Sequence, residues 1–401
     1  MLPKIKFLSF LSCFTFLSLS SSLWLPLFTP VINLLVMVVL SWLIGQKVAR
    51  EFLLQKVFPK VDPRGKAVLI TGCDSGFGHM TALELNRLGF VVFAGCLDSK
   101  GEGAGRLMQE AVIPFRMKVI QMDVTKDTQV TAAVTTVTQT MEALSQTSPS
   151  KKSSASALEE ETPTQVYLHA VVNNAGIIEM GEIEWWDSTP GDDQEDKIVS
   201  DYRRQLEVNL LGMIRVTRRF LPLIRRNHGR IINLSSIMSK TNVPGINAYC
   251  VSKTAAAKFS EGLQNELAGF KHGVTVVDVE PWFYRTPLLR GDVIKSLCEK
   301  SWNKTSNQIK DVYGGDKYFT ESFLSRMLFM CTDPRNVIQK PEQVVASLVD
   351  AVSSGEPDTV YRLISPGFGI AFAIINDFLP WDLLFIARRL TDQLALMVSK
   401  K

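Results

Sequence analysis

Tyr249 and Lys253 stand four residues apart in the pentad Tyr249-Cys250-Val251-Ser252-Lys253. On a helix that spacing puts phenol and ammonium on one face. A nearby cation favours the phenolate and lowers a pKa that is about 10 when unperturbed. A tyrosine shifted in this way exchanges a proton with an alcohol or a carbonyl near neutral pH. The spacing alone describes an ordinary packed pair equally well. Two further polar positions give it company. Ser235 and Ser236 end the apolar run Arg230–Leu234, and Ser236 lies 13 residues before Tyr249. Asn209 sits inside the apolar helical run around Glu207-Val208-Asn209-Leu210, where an amide either satisfies backbone groups or holds a water.

A second cluster, Thr71-Gly72-Cys73-Asp74-Ser75-Gly76-Phe77-Gly78, follows a short apolar run and precedes the helical stretch Met80–Leu88. Gly72, Gly76 and Gly78 permit a tight turn and let backbone N–H groups approach a pyrophosphate at a helix start. Asp98 follows the next apolar run, where a carboxylate would accept bonds from a ribose 2′-OH and an arginine would favour a 2′-phosphate. No arginine occurs between Gly95 and Gly105, so NAD is favoured over NADP. Asp98 also reads as a plain loop residue. Asp123-Val124 and Asn173-Asn174-Ala175-Gly176 end two more apolar runs, where a ligand crossing the sheet edge would pass.

These positions need a frame. Ala67–Ile70, Phe90–Gly95, Val119–Met122, Leu168–Asn173, Arg230–Leu234, Val274–Val279 and Thr359–Ile364 read as seven strands, separated by stretches long enough for helices. That alternation predicts an α/β fold, a Rossmann-like doubly wound parallel sheet. Residues 146–165, rich in Ser, Thr, Lys, Glu and Pro, read as a mobile surface insertion. Residues 282–340 form a long excursion carrying Trp282, Phe283, Trp302, Tyr313, Tyr318, Phe319 and Phe329. Its place at the carboxyl side of the sheet suits a substrate cleft, and an aromatic hairpin filling core fits its composition equally.

The remaining features concern location and partners. Length and a hydrophobic fraction of 46% suit a globular domain with membrane-attached parts. A net charge of +4 without a dense basic block gives no case for nucleic acid. Cys13, Cys73, Cys96, Cys250, Cys298 and Cys331 lie far apart, so neither a disulfide framework nor a metal site is expected. Residues 1–60 hold two apolar stretches, Ile5 to about Phe28 and Val31 to Gly45, read as a membrane-anchoring segment of unresolved topology. Lys47, Arg50, Lys56 and Lys60 follow, which favours a cytosolic location for the domain over 61–365, whereas Lys4 and Lys6 pull the other way. The extension 366–401 is again apolar but is interrupted by Pro380, so an interfacial contact or a packed terminal helix is expected there.

In combination the motifs resemble the short-chain dehydrogenase/reductase family over about residues 64–365. The stretches 71–78, 91–97, 220–226 and 311–314 look closest to its membrane-associated retinol, microsomal 17β-hydroxysteroid and D-3-hydroxybutyrate dehydrogenases. The resemblance implies Tyr249 as proton donor and acceptor, Lys253 lowering its pKa and bonding the nicotinamide ribose, Ser236 holding the substrate oxygen, and Asn209 positioning a water. It also implies cofactor contacts from Gly72, Asp74, Ser75, Gly76, Phe77, Gly78, Asp98, Asp123, Val124, Asn173, Ala175, Gly176, Pro281 and Thr286. The implied partners are NAD, a hydrophobic alcohol or carbonyl substrate, membrane lipid and further copies of the chain. The implied location is the endoplasmic reticulum membrane, with a mitochondrial membrane as alternative. Trp282 stands where the family usually has glycine, which puts the loop leading to Thr286 in question because tryptophan takes positive φ at a cost. Ser239 replaces a common glycine beside the substrate mouth. A non-catalytic NAD-binding membrane scaffold and a 3-hydroxybutyrate dehydrogenase, the latter with Arg285 or Arg290 holding the acid, are the competing readings.

Overall fold

The computed structural model describes residues 59–146, 165–185, 199–268 and 273–364. The two apolar amino-terminal stretches, residues 147–164 of the insertion expected over 146–165, and the extension over 366–401 lie outside them. Among the described residues no helix is long and apolar enough to cross a membrane. The chain divides into two compact units, the larger built on Asp62–Ser353 and the strand after it.

Seven strands form one parallel sheet: β1 Lys66–Thr71, β2 Val91–Cys96, β3 Met117–Gln121, β4 Tyr167–Asn173, β5 Arg230–Leu234, β6 Thr275–Pro281 and β7 Val360–Leu363. They stand in the order β3-β2-β1-β4-β5-β6-β7. All seven expected strands are present, and their pairings are parallel throughout. β1, β2 and β5 are buried almost along their length, which is why they read as continuous Val/Ile runs without alternation.

On one face lie α1 Gly76–Arg87, α2 Glu102–Glu110 and, late in the chain, a helix over Glu342–Ser353. That face is closed by Leu85, Phe90, Leu107, Val344 and Leu348. The other face carries α3 Asp127–Gln146, the pair α4 Ser200–Leu206 and α5 Met213–Arg226, and α6 Asn247–Ala268. Val137, Phe220, Ile224 and Leu263 pack against the sheet there. The strand order reverses at β1, between β2 and β4. Loops leaving β1 and β4 therefore diverge and open a crevice at the carboxyl edge.

The excursion after β6 contains α7 Gly291–Lys304, α8 Asn307–Tyr313, α9 Gly315–Tyr318, a π-helical turn Phe319–Leu324 and α10 Ser325–Thr332. It builds its own aromatic core. Trp185 is fully buried, its ring 4.2 Å from Phe323 and 4.8 Å from Trp302, and Trp302 stacks on Phe319 at 5.2 Å. Each such aromatic pair adds roughly 0.5–1.5 kcal/mol beyond area burial. The excursion therefore does both things its composition allowed: it fills core and walls the cleft.

Candidate active site

The glycine turn is shaped by contacts that exclude side chains. Gly72 has φ +69, which only glycine adopts without strain, and a Cβ on Gly78 would collide with the Gly72 carbonyl and the Asn174 amide. Asn174 secures this turn: Nδ2 donates to the Thr71 and Gly72 carbonyls at 2.8 and 3.0 Å. Thr71 Oγ1 in return accepts from the backbone N–H groups of Asn174 and Ala175, each at 3.0 Å. The ends of β1 and β4 are thus riveted together. Neither Thr71 nor Asn174 was singled out from the sequence, although both lie inside the motifs that were. The first turn of α1 has no side-chain cap, so its N–H groups face the crevice as an anion cradle.

One cavity of about 1080 Å3 runs from this turn to the aromatic excursion. Its walls include the expected Gly72, Asp74, Ser75, Gly76, Phe77, Asp123, Val124, Ala175, Gly176, Ser236, Tyr249, Lys253, Pro281 and Thr286. Gly78, Asp98, Asn173 and Asn209 are not on that wall: Gly78, Asn173 and Asn209 are buried behind it, and Asp98 is exposed. Gly78 supports the turn. Asn173 Nδ2 donates inward to Thr217 Oγ1 at 3.0 Å and Asn233 Oδ1 at 2.8 Å. Asp98 folds over its own turn, Oδ1 accepting from the Lys100 N–H at 3.0 Å. The carboxylates on the wall at this end are Asp123 and Asp74, the latter accepting from the N–H groups of Leu97 at 2.9 Å and Asp98 at 3.2 Å.

Asn209 is fully buried in a π-helical turn, Glu207–Gly212, that links α4 to α5. Such turns are frequent at functional sites because they re-aim one side chain. Its Oδ1 accepts from the Ile177 N–H at 2.8 Å, while Nδ2 donates to the Ile177 carbonyl at 3.0 Å and to Ser252 Oγ at 2.9 Å. The amide therefore clamps the loop after β4 to α6, and both its protons are used in doing so.

Ser236 and Tyr249 both line the cavity, and the Ser236 hydroxyl favours the ionised form of the Tyr249 phenol. Ser236 Oγ also accepts from the Met238 N–H at 3.1 Å and donates to the Pro281 carbonyl at 3.3 Å. Lys253 Nζ donates to the Leu234 carbonyl at 2.8 Å and lies 5.9 Å from the centroid of the Tyr249 ring. Burial dominates both titrations. It pushes the Tyr249 phenol up to about 12, partly offset by the Ser236 hydroxyl. It pulls the Lys253 ammonium down to about 8 against the opposing pull of Asp278. The pair is side by side as its spacing requires, yet it is the loss of water that sets the phenol, and not the ammonium.

Trp282 keeps its loop ordinary. Among the described residues only His228 is non-glycine with positive φ, so Trp282 adopts no strained backbone. Its N–H bonds the Leu363 carbonyl at 2.9 Å, and its indole Nε1 donates to the Asn336 carbonyl at 2.7 Å. The loop continues β6 and delivers Pro281 and Thr286 to the cavity despite the missing glycine. Met238, Phe283, Leu288, Leu289 and Val293 line the adjoining end, which is apolar. Arg285 and Arg290 are not on the wall; Arg290 pairs outside it with Asp292 at 2.6 Å.

Comparison with known proteins follows the same lines. The model of the short chain dehydrogenase family matches residues 66–146 and 149–294. Retinol dehydrogenase 7 of Mus musculus is 34% identical over 276 residues, 68% of this chain and 74% of that protein. The mitochondrial D-beta-hydroxybutyrate dehydrogenase of Rattus norvegicus is 31% identical over 298 residues, 74% of this chain and 76% of that one. Estradiol 17-beta-dehydrogenase 2 of Mus musculus is 33% identical over 297 residues, 74% of this chain and 67% of that one. Among solved structures, a short-chain dehydrogenase from Streptomyces avermitilis superposes with a TM-score of 0.54 at 21% identity, covering 84% of this chain and 99% of that one.

Proposed function

The chain belongs to the short chain dehydrogenase family, and on that premise we propose that it is an NAD-dependent oxidoreductase interconverting a hydrophobic alcohol, a steroid 17β-hydroxyl or retinol, and its ketone or aldehyde. The observation that carries this reading is one cavity whose wall joins a glycine turn and uncapped helix start to Ser236 and Tyr249, with Lys253 beside the phenol. The cradle fits a dinucleotide, because the pyrophosphate would lie on the uncapped α1 N–H groups, beside a turn whose close approach of Gly78 to the Gly72 carbonyl only glycine permits. When bound, NAD supplies the hydride acceptor for alcohol oxidation.

The chain's own residues do the rest. Tyr249 takes the hydroxyl proton in oxidation and gives it back in reduction. Ser236 Oγ donates to the substrate oxygen as negative charge develops there. Lys253 draws the phenol towards its ionised form by charge, and Asn209 keeps the wall between β4 and α6 in register. Asp74 and Asp123 on the wall at the far end favour NAD over NADP, since a 2′-phosphate would meet carboxylates.

The apolar wall formed by Met238, Phe283, Leu288, Leu289 and Val293 favours a hydrophobic substrate. One observation favours the hydroxybutyrate alternative: Arg203 on α4 lines the same cavity and is a cation of the kind a carboxylate requires. We also infer that the protein works as a homo-oligomer, as the family resemblance of its motifs implies. We further infer attachment to the endoplasmic reticulum membrane through 1–60, with 366–401 as a second apolar contact and the domain over 61–365 facing the cytosol; the basic residues after the apolar stretches support that orientation. The test is dinucleotide reduction by the detergent-solubilised full chain. NAD and NADP are each offered with estradiol, testosterone, retinol and D-3-hydroxybutyrate. NADH formation with a steroid or retinol supports the reading. Turnover of hydroxybutyrate alone would replace it with the alternative, and tight NAD binding without any product would leave only the scaffold.

A further inference from the structure

Behind the Ser236–Tyr249–Lys253 group lies a carboxylate that the mechanism does not use. Asp278, in the middle of β6, is 4% exposed. Its Oδ2 accepts from Ser235 Oγ at 2.8 Å. Its Oδ1 is buried with no hydrogen-bond partner among the described residues. Ser235 is on the cavity wall, immediately before Ser236, and the carbonyl of Leu234 just before it receives the Lys253 ammonium. Lys253 is itself 4% exposed. An acid and a base are therefore buried on the two sides of the β5 end, joined to consecutive residues of that strand.

Such a carboxylate is a poor choice for stability. Burial drives its pKa up to about 6, so at neutral pH the fold carries a charge it would hold more easily in water. The charged groups acting on it are Glu280 on its own strand, which opposes ionisation, and Lys240 and Lys253, which favour it. Glu280 is occupied elsewhere, pairing with Lys240 at 3.0 Å and Arg362 at 2.8 Å. Of the two cations, Lys240 is thus already neutralised. Among the described residues Asp278 is the charge acting on Lys253, and it favours the protonated form against burial.

We propose that Asp278 is a positioning residue for the proton-transfer group: it fixes the Ser235 hydroxyl at the end of β5 and supplies the negative field that keeps the Lys253 ammonium charged. This rests on the enzyme reading only for its kinetic consequence. The electrostatic claim stands on the fold itself.

Asp278→Asn keeps the shape and an acceptor for Ser235 while removing the charge. Lys253 should then lose its proton about one pH unit lower, the small end of what a neighbouring opposite charge does. Reductive methylation with formaldehyde and a borane, read by peptide mass spectrometry across pH, reports this midpoint directly without turnover. In steady-state oxidation the variant's kcat should fall roughly fivefold at pH 8 and return almost to wild type at pH 6, where both lysines are charged. Its thermal midpoint should not fall. Ser235→Ala, which frees the carboxylate to take up a proton, should shift the methylation midpoint in the same direction by less, and serves if the first variant does not fold. An unmoved midpoint in both variants, or a kcat deficit equal at pH 6 and pH 8, overturns the proposal. Absence of turnover in the wild type would sink the enzyme reading and leave the methylation result to decide this one.

Discussion

The two ends of the cavity are built by different means. The end at β1 and β4 is made of backbone: a glycine turn, an uncapped helix start, and Thr71 and Asn174 bonding main-chain groups of the neighbouring loop. The other end is made of side chains, with Trp282, Phe283 and Met238 on the wall and Trp185, Trp302 and Phe323 packed behind it. Backbone recognition depends on conformation and tolerates few residue types. Side-chain recognition depends on volume and tolerates many. A fold that must hold one invariant ligand and one variable ligand gains from keeping these separate.

Substitutions at either end should therefore fail in different ways. The largest effect is expected from Trp185→Ala, which empties a fully buried site and should cost about 3–5 kcal/mol. Hydrogen exchange should show protection lost first over residues 291–332, with 66–96 still protected. Equal loss in both regions would mean the two ends are one cooperative packing unit. Gly78→Val should leave the fold of the excursion intact and lower NADH affinity by about a hundredfold or more, or roughly 2.7 kcal/mol, in calorimetric titration. A normal NADH affinity would remove the glycine turn from the cofactor end.

The contrast also explains what the sequence disclosed. The seven strands, the glycine turn and the Ser236, Tyr249 and Lys253 set are legible because each is a local pattern: Val/Ile runs bounded by turns, glycines at fixed offsets, two residues a helical turn apart. Asp98 shows the limit of that approach. Its position at the end of β2 suits a ribose, yet its carboxylate accepts from the Lys100 N–H within its own turn, and Asp74 from another loop is on the cavity wall instead. Asp278 was invisible for a related reason. A lone Asp in a Val-rich strand has no local partner, and its meaning comes from Ser235 and Lys253, brought close only by the sheet and α6. Trp282 shows the reverse case, where a departure from a familiar pattern suggested a rebuilt loop. The indole instead ties β6 to the segment at Asn336 without any positive φ.

A pH effect should reach both ends together. His169 on β4 is buried with its Nε2 on the Val352 carbonyl at 3.0 Å, and burial lowers its pKa to about 4. The unfolded chain takes up the proton near 6.5, so its contribution is fully present above that pH and is lost as pH falls towards 4. The loss is at most about 3 kcal/mol. Urea midpoints measured from pH 7 to pH 4 should fall less steeply in His169→Gln. Parallel curves would place the acid sensitivity elsewhere. The smallest effect is expected from Leu97→Arg, an exposed residue on the wall of the cofactor end. A guanidinium there should improve the ratio of NADP to NAD turnover by about tenfold without altering KM for the alcohol. A changed alcohol KM with an unchanged cofactor ratio would break the separation of the two ends.

The central claim is that Tyr249 transfers the proton between a substrate held at the apolar end and a dinucleotide held at the glycine end. Paired measurement of NADH affinity and alcohol oxidation in wild type and Tyr249→Phe tests it most directly. Turnover should drop by about a thousandfold or more while NADH binds as before. A phenylalanine variant that still oxidises the alcohol at a comparable rate would contradict the account.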